Sequence, residues 1–254
     1  MSRRDATASR REPPRRRVEA PDAIEAALAR PGEVALVLHR EGGLSAEARS
    51  LVDRARRAGV PTLEASAREM RRMSGGEASR EVLALAAAPI ATSLEALLAA
   101  DGPVLLLAGL RFPGNVGFIL RSAEVAGAAG VVIANDWGRP QLGEALRIGM
   151  HAERFAPVVE SEAEAAIEAA RAAGRRVIGV ETSGRRAPWE VDLRVPIVLV
   201  VGGESEGLSA RLLAGLDEVV RIPTRGFIPS YNVQAAVGML LGEWLRQHDG
   251  QRDA

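Results

Sequence analysis

The chain of 254 residues contains no cysteine. Disulfides and thiolate metal sites are therefore excluded. It also contains no lysine, so the 33 cationic side chains are all arginine. Arginine offers a planar fork that holds phosphate through paired hydrogen bonds, which lysine cannot do. An Ala- and Arg-rich composition is also what GC-rich coding produces. The 33 acidic residues balance the charge to zero, so no global field draws nucleic acid. Aromatic residues make up only 3% of the chain. No apolar run approaches the roughly 20 residues of a membrane span. The Arg-bearing N-terminus lacks the apolar segment of a secretory signal. A cytoplasmic protein with no membrane contact is expected.

What is present divides into segments. Residues 1–17 are polar, Arg-rich and interrupted by Pro13-Pro14, which predicts a disordered tail, either simply solvated or an RNA-attracting arm. Residues 18–88 read as a small α/β domain. Helices are predicted over 21–30 and 45–58, with Gly59 as the stop, and over a short stretch from the Ser66–Glu69 capping box through Met73. Strands are predicted over 34–38, 60–63 and 82–87, giving a mixed or parallel sheet with helices packed on it. Arg54, Arg56, Arg57, Arg68, Arg71, Arg72 and Arg80 cluster here, either as phosphate contacts or as solvated helix faces. His39, at a strand end, reads as a surface residue. Residues 89–102 read as a linker with a helical turn or two around 94–98.

Residues 103–248 read as a larger α/β domain. Strands are predicted over 104–108, 131–134, 155–159, 176–180, 197–201 and 217–222. Helices are predicted over 116–126, with Asn115 as N-cap and Gly127 as stop, and over 161–173, stopped by Gly174. Residues 135–151 read as loop and short helix. Ser230 reads as the N-cap of a last helix, on which Val233, Ala236, Val237, Leu240, Leu241, Trp244 and Leu245 form one apolar stripe. In such sheets ligands bind where loops leave the carboxyl ends of strands.

Three patterns fall in those loops. The first is Pro113-Gly114-Asn115-Val116-Gly117, followed after three residues by Arg121-Ser122-Ala123. Here Gly117 permits close backbone approach, and Arg121 is placed for phosphate. The second is Gly202-Gly203-Glu204-Ser205-Glu206-Gly207-Leu208-Ser209. It is neither a dinucleotide fingerprint nor a P-loop, because Glu204 stands in the second glycine position and Gly-Lys-Ser/Thr is absent. Its carboxylates suit a neutral or cationic ligand bearing an amino group and repel pyrophosphate, which speaks against a generic nucleotide-binding enzyme. The third is Ile222-Pro223, then Gly226, then Ser230-Tyr231-Asn232-Val233.

In this order and spacing the three patterns resemble the signature motifs of the SpoU (TrmH) family of RNA ribose 2′-O-methyltransferases, within the SPOUT superfamily. The resemblance covers the whole domain from about residue 102 to 247. It implies a parallel-sheet methyltransferase domain with a C-terminal trefoil knot, which connection rules alone would not suggest. The segment Arg68 to Gly76 makes the preceding domain look like a ribosomal-protein-L30e-like RNA-binding extension. S-adenosylmethionine is the implied cofactor, with Gly202, Gly203, Gly207, Ile222, Tyr231 and Thr182 around it. Arg121, Asn115, Glu204, Ser230 and Asn232 are the implied catalytic group, and a homodimer through the last helix is the implied assembly. Phe112 departs from the family's usual Asp or Asn, and Tyr231 and Gln234 depart from its third motif.

The expected reaction is displacement of the sulfonium methyl by a ribose 2′-oxygen of structured RNA. The donor is already activated, so no metal is expected. The family gives Arg121 the activating role. A guanidinium with pKa above about 12 is a poor base, so clamping a phosphate and polarising the hydroxyl suits it better. The N-terminal extension favours ribosomal RNA over tRNA. The alternatives are a tRNA methyltransferase and a catalytically silent RNA-binding assembly factor.

Overall fold

A computed structural model of the chain describes residues 15–74, 80–87, 90–91 and 93–249, in two compact units that divide between Ile90 and Ala91. The first unit carries β1 (Arg15–Val18), α1 (Pro21–Leu28), β2 (Val34–Arg40), α2 (Ala46–Arg57), β3 (Thr62–Ala65), α3 (Ala67–Met73) and β4 (Val82–Ala87). Its sheet runs β1-β4-β2-β3, with β2 and β3 parallel and the other pairs antiparallel. Local chemistry starts the helices. Ser45 Oγ accepts from the Ala48 amide at 3.2 Å. Ser66 Oγ accepts from the Glu69 amide at 3.2 Å, and Glu69 Oε2 accepts from the Ser66 amide at 2.9 Å, closing the capping box. Ile24, Leu51, Val52 and Ala55 pack against Val37, Val82 and Ala84.

Three expectations for this unit change. The stretch read as tail ends in a strand at Arg15, because Val18 inserts into the core at 4% exposure. Strand β3 starts at Thr62 because Pro61 has no amide proton for the ladder. His39 is buried, 8% exposed. Within the Arg cluster, Arg54 pairs with Glu25, Arg56 with Asp53 at 3.7 Å and Arg80 with Glu19 at 3.5 Å, all with the arginine side chain exposed, which fits the solvated-face alternative for these three. Residues 1–14 and the Gly75-Gly76 end of the Arg-rich segment lie outside the described residues.

The second unit carries α4 (Leu94–Ala99), β5 (Val104–Ala108), α5 (Pro113–Val125), β6 (Gly130–Ala134), α6 (Arg139–Ile148), β7 (Val158–Glu160), α7 (Ala163–Ala172), β8 (Arg176–Val180), β9 (Ile197–Gly202), α8 (Ala210–Ala214), β10 (Glu218–Val220) and α9 (Val233–Asp249). All strands are parallel in the order β10-β8-β9-β5-β6-β7. Both faces are covered, so the strands are almost continuously apolar. Leu105, Leu107, Ile133, Leu199 and Val201 face one layer with α5 and with Val237, Leu240 and Leu241 of α9. Leu106, Val132, Val198 and Val200 face the other, with Leu97, Ile167 and Leu212 from α4, α7 and α8. Ala108 pairs with Gly202 and Val180 with Val201, so the three strands end level. The chain leaves β5 toward β6 on one side, while β9 and β8 lie on the other, so β5 and β9 flank a topological switch point.

The helical turns expected around 94–98 form α4, but its Leu97 and Leu98 are buried in this unit, so this stretch is core and not linker. The strand expected over 155–159 is Val158–Glu160, because the Phe155 and Ala156 amides complete a turn on Ala152 and Pro157 cannot donate. The strand expected over 217–222 is Glu218–Val220, because the Asp217 side chain turns back to the Val177 amide at 2.8 Å. Residues 135–151 contain the ten-residue helix α6. At the amino ends of the strands Arg175, 5% exposed, donates to the carbonyls of Leu98 at 2.7 Å, Gly102 at 2.8 Å, Ile197 at 3.1 Å and Ala100. No helix among the described residues is long and apolar enough to cross a membrane.

Candidate active site

A cleft of about 570 Å³ opens at the carboxyl ends of β8, β9 and β10. Its wall comes from three segments: 180–182, 201–207, and the loop after β10 with the start of α9. The middle segment has its shape because it is built on glycine. A Cβ on Gly202 would lie 2.3 Å from the Gly207 carbonyl carbon and 2.5 Å from the Leu208 nitrogen. A Cβ on Gly203 would lie 2.5 Å from the Gly109 oxygen. Gly207 adopts φ +64, and its Cβ would strike the Glu181 carboxylate. The loop therefore folds back against β5 and β8 with backbone lining the cleft.

Beside this loop runs a relay of side-chain bonds. Asn232 Nδ2 donates to Asn115 Oδ1 at 3.2 Å, and Asn115 Nδ2 donates to Glu204 Oε1 at 2.7 Å. Glu204 Oε2 accepts from the Arg111 amide at 2.9 Å. Burial disfavours the Glu204 charge, but the Arg111 amide, the Asn115 side chain and the amides of Glu204 and Phe112 together outweigh it and hold the carboxyl below its ordinary 4.5. One relay thus ties the start of α5, the β9 loop and the start of α9.

The geometry revises several local readings. Helix α5 begins at Pro113 behind Phe112, so Asn115 lies inside its first turn with the side chain free for the relay. Asn232, whose Oδ1 accepts from the Gln234 amide at 2.9 Å, caps α9 in place of Ser230. The close approach at Gly117 is made by α6: a Cβ there would lie 2.6 Å from the Ala145 oxygen.

Of the residues singled out in the sequence, Gly202, Gly203, Gly207, Ile222, Tyr231 and Thr182 all line the cleft, as do Glu204, Ser230 and Asn232. Asn115 joins them through the relay. Arg121 stands exposed on α5 and is not in the wall. Tyr231 Oη donates to the Pro223 carbonyl at 3.4 Å, closing the neck of the loop between them. Sequence reasoning passed over Glu181, Arg221 and Arg111, whose guanidinium pairs with Glu206 at 3.0 Å. The only available signal for Glu181 was its place at the end of an apolar strand. His151 takes a left-handed backbone, φ 55, and its Nδ1 lies 3.0 Å from Glu153 Oε1, outside the cleft. Among the described residues no group of three or more His, Asp or Glu side chains is arranged to hold a metal.

A backbone-lined cleft with three carboxylates, Glu181, Glu204 and Glu206, and one guanidinium, Arg221, suits a guest with positive charge and an adenosine-sized body. The chain is similar to several known proteins. An uncharacterized tRNA/rRNA methyltransferase from Mycobacterium avium is 32% identical, covering 94% of this chain and 82% of its own. The 23S rRNA (guanosine-2′-O-)-methyltransferase RlmB of Pseudomonas syringae pv. tomato is 30% identical, covering 62% of this chain and 64% of its own. The solved SpoU methyltransferase AviRb from Streptomyces viridochromogenes, crystallised with the cofactor AdoMet, superposes with a TM-score of 0.56 at 26% identity, covering 92% of this chain and 91% of its own. The signature of the SpoU rRNA Methylase family matches residues 102–242, a span that takes in the sheet, the cleft and all three motifs. The chain belongs to the SpoU rRNA methylase family.

Proposed function

We propose that this chain transfers a methyl group from S-adenosylmethionine to a ribose 2′-hydroxyl of RNA. The observation that carries this reading is the Asn232–Asn115–Glu204 relay, which brings three separate motifs to the rim of a glycine-framed, carboxylate-bearing cleft. The residues present fit the donor: Gly202, Gly203 and Gly207 let the loop fold tightly against Gly109, Leu208 and Glu181, so that its backbone lines the cleft. Ile222 and Tyr231 give an apolar wall for an adenine. When bound, S-adenosylmethionine supplies a methyl already activated on a positive sulfur.

The protein's own task is alignment. Glu204 holds Asn115, Asn115 holds Asn232, and Ser230 stands two residues before Asn232 on the same rim. These groups orient the ribose. Arg121 follows Asn115 by six residues, about 9 Å along α5. We assign it the clamp on the target phosphate and the polarisation of the hydroxyl, whose proton leaves to solvent.

Ribosomal RNA is the substrate class we favour, on the strength of the Pseudomonas relative. A tRNA substrate is the second reading, because the Mycobacterium relative's name includes it. The exposed arginines Arg68, Arg71 and Arg72 of α3 support the first unit as an L30e-like RNA-holding extension. A homodimer is supported by exposed apolar residues on the neighbouring helices α5 and α9: Phe118, Val125 and Met239. A trefoil knot is supported by the path of the chain. The 181–196 connection packs Val191 and Leu193 on the face that holds α9, and Gln247 of α9 is bonded to both. The reading is tested by incubating purified protein with ribosomal RNA and tRNA and labelled S-adenosylmethionine, then mapping ribose methylation. One modified ribosomal nucleotide supports it. No transfer to any RNA supports the silent assembly factor instead.

A further inference from the structure

The end of β8 brings a carboxylate into the cleft that belongs to none of the three motifs. Glu181 follows Val180 and lines the wall. Its Oε1 accepts from the Leu208 amide at 2.6 Å, and its Oε2 accepts from the Thr182 amide at 3.3 Å. Gly207 lies against it so closely that a Cβ there would be 2.2 Å from Oε1. The carboxylate is thus fixed flush with the glycine loop. The other two acids of the wall are engaged elsewhere: Glu204 by the relay and Glu206 by the Arg111 guanidinium at 3.0 Å. Among the described residues Glu181 has no ion-pair partner, and Arg221 is the one cation in the wall. A neutral guest gains nothing from that excess of negative charge, and a cationic one does.

We propose that Glu181 is the specificity-determining residue by which this cleft distinguishes the positively charged methyl donor from its neutral product. This rests on the methyltransferase reading given above. Methyl transfer leaves the carbon–sulfur bonding pair on sulfur, joins the methyl to the ribose oxygen and releases the hydroxyl proton to solvent. The guest therefore loses its positive charge in the step, and with it the attraction of the Glu181 carboxylate. The same residue that favours loading of the donor favours departure of the product.

The test is titration calorimetry on the full chain with three ligands: S-adenosylmethionine, the neutral S-adenosylhomocysteine, and sinefungin, which carries an ammonium-bearing carbon in place of sulfur. Glu181→Gln keeps an acceptor for the Leu208 amide and nearly the same shape but removes the charge. Wild type should prefer both cationic ligands over S-adenosylhomocysteine by about tenfold or more, and Glu181→Gln should bring that ratio to about twofold or less. Its affinity for S-adenosylhomocysteine should hold. If all three ligands weaken by one common factor, Glu181 only shapes the loop and the proposal is overturned. An unchanged ratio overturns it too. Should Glu181→Gln not fold, Glu181→Asp takes its place; it keeps the charge and must keep the cation preference, and losing it counts against the proposal. Wild type that binds all three ligands without charge preference refutes this proposal alone. Wild type that binds none of them refutes the methyltransferase reading and this proposal with it.

Discussion

Asn115 and Glu204 stand 89 positions apart in the sequence and share a 2.7 Å hydrogen bond, Nδ2 to Oε1. That bond fixes the first motif to the second. The Asn232 contact at 3.2 Å adds the third. Glu204→Gln should break the relay's direction, because an amide nitrogen can replace the acceptor that Asn115 needs. Methyl transfer should fall by about a hundredfold while donor affinity changes by less than about threefold, roughly 3 kcal/mol of lost alignment. Single-turnover rates measured beside calorimetry separate the two.

The same carboxyl gives a pH signature. Its folded pKa lies below the ordinary 4.5. A group depressed in the folded state contributes stability above its unfolded value and loses it as pH falls through the folded one. The stability gap between wild type and Glu204→Gln should be flat at neutral pH and shrink only below about pH 4.5. Urea titrations across that range would show it. A gap that closes between pH 6 and 8 would contradict the assignment, since it lies outside the titration window of this group.

Gly202→Ala places a methyl 2.3 Å from the Gly207 carbonyl carbon, and backbone cannot yield as a side-chain tip can. The loop should shift, at a cost of about 1–3 kcal/mol of stability. Donor affinity should drop by about tenfold or more while the circular dichroism of the sheet and helices is kept. Equilibrium dialysis with labelled donor reads the affinity.

Arg121→Ala should abolish methyl transfer and leave donor affinity within about twofold, because Arg121 is exposed on α5 and stands outside the cleft wall. Loss of rate and affinity together would place Arg121 in the donor pocket instead. Filter binding of donor and of RNA to the same variant tells these apart.

Arg175 is the buried cation among the described residues of the second unit, and burial pushes its guanidinium down despite the opposing charge of Asp101. It satisfies four carbonyls at the amino ends of the strands. Arg175→Met should cost about 3 kcal/mol, because those acceptors lose a charged donor inside the protein. Chemical unfolding followed by tryptophan fluorescence measures the loss. Methyl transfer at low temperature should survive, since the site lies at the opposite ends of the strands.

Much of the second unit was legible in the sequence because apolar strands and their glycine stops are local signals. Val104–Ala108, Arg176–Val180 and the α9 stripe lie where periodicity placed them. The capping box at Ser66 and Glu69 formed for the same reason. The misreadings came from competition between local and distant partners. Asn115 looks like a cap in isolation, but Pro113 starts the helix earlier and Glu204 claims the side chain. Asn232 takes the cap expected at Ser230. Residues 89–102 look like a linker with a helical turn or two around 94–98, and only the sheet they pack on shows that this helix, α4, is part of the core. Arg175 carried no local signal and Glu181 only its place at the end of an apolar strand, since each owes its role to backbone groups brought from far along the chain.

A crystal structure of the chain grown with S-adenosylhomocysteine tests the central claim most directly. The account predicts the ligand in the cleft at the ends of β8, β9 and β10, against Gly202 and Gly207, with the Asn232–Asn115–Glu204 relay intact beside it. Ligand bound elsewhere, with that cleft filled only by solvent and the relay broken, would contradict it.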